Sequence, residues 1–70
     1  MNEIFSNISG RVISCDVSVG DSITAGDTVL LVESMKMEIP VESETSGKVV
    51  ELLVGAGDEI EEGQRLAMVD

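Results

Sequence analysis

Short apolar runs broken by Gly, Asp and Ser recur along the chain, and none carries the 3.6-residue spacing of an amphipathic helix. The pattern predicts strands near residues 3–6, 10–17, 28–33, 37–43, 48–54 and 65–69. Pro40 falls inside one of them. Because proline cannot donate a ladder hydrogen bond, that strand is expected at a sheet edge or with an irregularity at that position.

The pattern occurs twice. An offset of 37 residues superposes Ser9 on Ser46, Gly10 on Gly47, Val12 on Val49, Val17 on Val54, Gly20 on Gly57, Asp21 on Asp58, Ile23 on Ile60, Gly26 on Gly63 and Val32 on Val69. Each copy reads as a strand, a Gly-Asp turn, an isolated Ile, a Gly turn and a second strand. Neither copy can bury its apolar face alone. Packed face to face about a pseudo-two-fold, the two predict a flattened β-barrel or sandwich with a continuous aliphatic core. The glycines have backbone duties in this scheme, permitting positive φ at the turns. None opens a helix before a Gly-Lys-Ser/Thr sequence, so there is no phosphate cradle.

Composition narrows the reading. With 70 residues, the chain has room for one small domain, 1–70, and with Phe5 as its only aromatic its core must be aliphatic. The formal net charge is −10, and the only cations are Arg11, Lys36, Lys48 and Arg65. Four scattered cations cannot neutralise a row of phosphates, which argues against nucleic acid, and the acidic excess argues against anionic membranes. The same excess suits a soluble domain that stays monomeric. Cys15, the single cysteine, lies among Val12, Ile13 and Val17 and reads as a small buried hydrophobe, not a nucleophile. The N-terminal residues lack the basic start and apolar middle of a signal peptide, so the expected location is cytoplasmic.

Between the two copies lies Val32-Glu33-Ser34-Met35-Lys36-Met37-Glu38-Ile39-Pro40-Val41. Here one strand must reverse into the next through a tight hairpin whose residues are not those that two-residue turns prefer. A local rule broken without structural gain marks a functional position, and Lys36 stands at the apex. Autonomous catalysis is a poor fit. The chain has no histidine to act as a general base or metal ligand, and Ser34 and Lys36 are two apart on a hairpin, not three apart on a helix. An ordinary lysine amine, with a pKa near 10.4, is about one part in a few thousand free base at neutral pH. Neighbouring carboxylates such as Glu33 and Glu38 favour the charged form. Acylation of such an amine needs an external enzyme. The acidic run Asp58, Glu59, Glu61, Glu62 lacks the alternating order of a calcium loop and reads as a solvated turn, so no metal site is expected.

Glu33-Ser34-Met35-Lys36-Met37-Glu38, placed between two matching half-repeats, resembles the (A/S)-M-K-M signature of the biotinyl/lipoyl attachment domain family, on its biotinyl branch. The resemblance covers nearly the whole chain. It implies an all-β barrel-sandwich hybrid of two pseudo-two-fold related four-stranded sheets, with the attachment lysine on a hairpin turn. It also implies that a biotin protein ligase joins biotin to Lys36. The arm would then carry a carboxyl group between a biotin carboxylase and a carboxyltransferase, the domain itself being non-catalytic. Met35 and Met37 are implied recognition residues; Ser34, Glu33 and Glu38 are weaker candidates. Two departures stand out: Ser34 where most biotinyl domains have Ala, and Ser6-Asn7-Ile8-Ser9-Gly10 where an Ala-Pro-Met-x-Gly segment is usual. Within the family the alternatives are lipoate on Lys36, as in 2-oxoacid dehydrogenase or glycine cleavage systems, and a dual attachment protein that accepts either biotin or lipoate. Outside it the alternatives are a binding adaptor that is never modified and a small enzyme that uses Lys36 directly.

Overall fold

In the computed structural model, which describes residues 2–70, eight strands follow one another in the order β1 (Asn2–Phe5), β2 (Gly10–Cys15), β3 (Ser22–Ile23), β4 (Thr28–Ser34), β5 (Met37–Glu42), β6 (Gly47–Leu52), β7 (Glu59–Ile60) and β8 (Arg65–Val69). They form two antiparallel sheets, β1-β8-β6-β3 and β5-β4-β2-β7. No helix occurs among the described residues. The all-β, two-sheet expectation holds.

The 37-residue repeat governs the topology. Shifted by that offset, β1 becomes β5, β2 becomes β6, β3 becomes β7 and β4 becomes β8, so one sheet order maps onto the other. Each sheet takes its two long central strands from one repeat and its two outer strands from the other. This exchange is the physical reason neither repeat stands alone. The hydrogen bonds between segments repeat as well. Gly20 N–H donates to the Val49 carbonyl as Gly57 N–H does to Val12, at 2.7 and 2.8 Å. Gly26 N–H donates to the Ser43 carbonyl as Gly63 N–H does to Ser6, both at 2.7 Å.

The turns explain the paired Gly-Asp sequences. The Asp21 carboxylate accepts the Ser18 N–H, and the Asp58 carboxylate accepts the Gly55 N–H, each at 2.8 Å. Each aspartate thus closes its own turn. Gly20 and Gly57 just before them have φ of 100° and 93°, the left-handed region where a Cβ is costly. The acidic run therefore has a structural occupation at Asp58.

Three readings need correction. The isolated isoleucines Ile23 and Ile60, assigned to no strand by the sequence pattern, are the buried ends of two-residue strands, β3 and β7, too short to register as a periodic run. The strands expected to reach residues 17 and 54 stop at Cys15 and Leu52. Val17 and Val54 stay buried while the chain bends past them into the aspartate-closed turns. Cys15 is half-buried, at the margin of the core, with its thiol 3.6 Å from the Val54 carbonyl. Burial, helped by Asp16 and Asp58, pushes that thiol's pKa up, which lowers its reactivity.

The core is aliphatic, with Val12, Val29, Leu30, Val32, Val49, Leu66 and Val69 among its fully enclosed side chains. Ser6 and Ser43, equivalent in the repeat, are buried with it. Each hydroxyl is satisfied locally: the Ser6 hydroxyl donates to the Ile8 carbonyl, and the Ser43 hydroxyl donates to the Thr45 carbonyl at 2.6 Å. Pro40 lies on β5, an edge strand, as its missing N–H requires.

Candidate functional site

The β4–β5 hairpin is the element the repeat does not duplicate within the chain. Its strands pair in strict register from Leu30 opposite Val41 to Ser34 opposite Met37, leaving a loop of two residues, Met35 and Lys36. Two-residue loops between right-twisted strands favour type I′ or II′ turns, and type I′ requires positive φ at both central positions. Met35 and Lys36 have φ of 53° and 64°, and they are the only non-glycine residues with positive φ among those described. Each costs on the order of 1–2 kcal/mol relative to a relaxed backbone. Strain of this kind persists where the surroundings enforce it and clusters at functional positions.

What enforces it is the packing just below the turn. Val32 is fully buried, and β2 runs close alongside β4 because Gly10 has no side chain. A Cβ at Gly10 would collide with the Glu33 carbonyl oxygen and lie 2.8 Å from Val32 Cγ1. The hairpin is therefore gripped up to Glu33, and only its tip projects.

The tip holds every candidate residue. Lys36 is exposed and joins no ion pair among the described residues. Met35 is 92% exposed and Met37 64%, the two most exposed large apolar side chains in the described structure. Ser34 is half-buried opposite Met37. Glu33 and Glu38 are exposed and face each other across the ladder, an arrangement of like charges that disfavours an isolated strand pair.

The sheet extends that row. Arg11 of β2 is registered against Glu33, and Glu59 of β7 against Arg11, so Glu38, Glu33, Arg11 and Glu59 run side by side across four strands. Arg11 forms its ion pair with Glu59, at 3.7 Å, which leaves Glu33 and Glu38 as the unpaired carboxylates beside the tip. The sequence signalled Glu33 and Glu38 by their closeness to Lys36. It gave no sign of Arg11 and Glu59, which only the strand pairing brings near.

Chemically the site offers an exposed primary amine on a long flexible stem, with the carboxylates of Glu33 and Glu38 nearby but no histidine in the chain to act as a general base. No group of three or more metal-ligating side chains occurs among the described residues. Such a tip can be acylated by an enzyme that supplies the activated acyl group and the base.

Comparison with known proteins agrees with this geometry. Residues 2–69 match the family described as "Biotin-requiring enzyme". The biotinylated protein TB7.3 homolog of Mycobacterium leprae is 40% identical over 67 residues, covering 96% of this chain and 94% of that protein. Urea amidolyase of Saccharomyces cerevisiae is 36% identical over 67 residues, covering 96% of this chain but only 4% of the enzyme. The crystal structure of Kluyveromyces lactis urea carboxylase contains a matching fold with a TM-score of 0.91 and 36% identity, over 99% of this chain and 6% of that one. The chain thus corresponds to a small fraction of the large enzymes and to nearly all of the small mycobacterial protein. It belongs to the biotin/lipoyl attachment family, on its biotinyl branch.

Proposed function

We propose that this chain is a biotin carboxyl carrier domain in which Lys36 is biotinylated by a biotin protein ligase. The biotinyl arm then takes a carboxyl group at a biotin carboxylase site and gives it up at a carboxyltransferase site. The observation that carries this reading is the exposed Lys36 amine, unpaired at the apex of a strained two-residue turn between Met35 and Met37. A turn that needed only to reverse the chain would use Asn-Gly. Kinship with a biotinylated protein and with a urea carboxylase supports both the cofactor and the carboxyl-transfer role.

The domain performs no chemistry of its own in this scheme. Its residues hold and expose: the ladder from Leu30 to Ser34 fixes where the arm starts, Met35 and Met37 provide apolar contact for partner pockets, and Glu33 and Glu38 contribute charge. Biotin, once attached, supplies the nitrogen that carries the carboxyl group. The acceptor is set by the carboxyltransferase. Lipoate on Lys36 is the less favoured reading, because the matched family is described by its biotin requirement and one relative of matching length, the TB7.3 homolog, is a biotinylated protein.

Intact-mass measurement of the chain incubated with biotin, ATP and a biotin protein ligase tests the proposal. One biotinyl increment is expected, mapping to Lys36 by peptide analysis, with Lys36→Arg unlabelled yet equally stable. An unmodified chain, or label on Lys48, overturns it.

A further inference from the structure

The three methionines among the described residues differ sharply in exposure. Met35 is 92% exposed and Met37 64%, whereas Met68 is half-buried on the outer face of β8. The thiol of Cys15 is tucked against the Val54 carbonyl at the core margin. Oxidation of a thioether follows exposure, since the peroxide must reach the sulfur lone pair. Met35 presents its sulfur with almost nothing around it. It occupies the first central position of the turn, at φ 53°.

We propose that Met35 is a reversible oxidation site that governs how well the Lys36 tip docks onto the enzyme that modifies it. The inference rests on the carrier reading given above. The sulfur lone pair of Met35 attacks one oxygen of hydrogen peroxide, an S–O bond forms, the O–O bond breaks, and water leaves. A thiol-dependent methionine sulfoxide reductase reverses the step, returning the thioether and water while two thiols become a disulfide. The product sulfoxide is a strong hydrogen-bond acceptor in place of an apolar group. A partner pocket that closes over Met35 must strip water from that oxygen without offering a donor, which is unfavourable. Lys36 itself is untouched, so the amine stays acylable and the defect is one of docking.

Two features favour Met35 as the controlling sulfur over its neighbours. Met37 lies within β5, paired with Ser34, so one side of it is covered by the ladder. Cys15, partly buried, is shielded from direct competition for peroxide.

The test treats the apo chain with limiting hydrogen peroxide, maps each methionine by peptide mass analysis, and follows labelling by a biotin protein ligase with biotin and ATP. Met35 sulfoxide should form ahead of Met37 and Met68. Its formation should raise the KM for the carrier roughly tenfold with kcat nearly unchanged, and a sulfoxide reductase should restore it. In Met35→Leu, whatever its starting rate, the ratio of treated to untreated labelling should stay near one. In Met37→Leu the loss should persist. Equal oxidation of Met37 or Met68, or unchanged labelling of the Met35 sulfoxide, overturns this inference and leaves the carrier function standing. Failure of the untreated chain to be labelled at Lys36 overturns the carrier function, and the inference with it.

Discussion

Met35 and Lys36 hold a backbone conformation that side chains with a Cβ avoid, and the fold tolerates the cost at both positions in succession. Relieving that strain should stabilise the domain. Asn is several-fold enriched at positive φ because its short amide adapts to that region. Met35→Asn should therefore raise stability by about 0.5–1 kcal/mol, read as a higher urea midpoint at unchanged slope. A midpoint that is unchanged or lower would mean the turn is not strained at Met35. The same variant removes the apolar contact at the tip, so stability and ligase recognition should move in opposite directions. Much of this scale was legible beforehand. Ser34-Met35-Lys36-Met37 announces itself by being the wrong sequence for a tight turn. The opposition of Glu33 and Glu38 was not legible, because it depends on a register that a one-residue slip would destroy.

At the scale of elements, the site depends on how closely β2 can approach β4. Gly10 stands at the start of β2 where any side chain would strike the Glu33 carbonyl just below the turn. Gly10→Ala should cost about 1–3 kcal/mol by overpacking, and amide shifts in NMR should spread from Gly10 into Val32, Glu33 and Ser34. Gly55→Ala, where an added methyl meets nothing within 4 Å, is the matched control and should change stability by less than about 0.5 kcal/mol. Equal effects would deny that close approach is what Gly10 provides. The sequence offered Gly10 only as a repeat partner of Gly47, and a strand-initial glycine carries no local mark of what it lies against. The bulges are equally silent. Ile13 and Val50 are equivalent in the repeat, both lie at register shifts, and both turn outward at 38% exposure although they read as core residues. Their outward turn is what alternation from buried Val12 and Val49 requires; the inserted residue shifts the alternation only beyond them, leaving Cys15 and Leu52 half-buried, and nothing in the composition of β2 or β6 forecasts it.

The repeat revealed two halves, but the exchange of outer strands between sheets is a property of the whole molecule, set by which pairing buries the most aliphatic surface. Charge, the other whole-molecule property, was legible in full and leads to a prediction. Fourteen carboxylates oppose four cations in a body 32 × 19 × 18 Å across. Two of those cations, Arg11 and Arg65, are held in exposed ion pairs with Glu59 and Glu3. At 0.01 M ionic strength the Debye length is about 30 Å, so nearly every carboxylate repels every other across the long axis; at 0.15 M it is about 8 Å and only near neighbours interact. Unfolding spreads the charges apart, so repulsion destabilises the compact state most at low salt. The two exposed ion pairs work in the opposite sense, but each contributes about 0–1 kcal/mol at most, and the excess of ten negative charges outweighs them. The urea midpoint should therefore rise as sodium chloride increases from about 0.01 to 0.15 M, over the range where the screening length falls below the size of the molecule. Acylation of Lys36 removes one cation and makes the body more negative, so the biotinylated form should show the steeper salt dependence. A midpoint that falls with salt would mean the ion pairs, not the carboxylate excess, dominate the electrostatics of the fold.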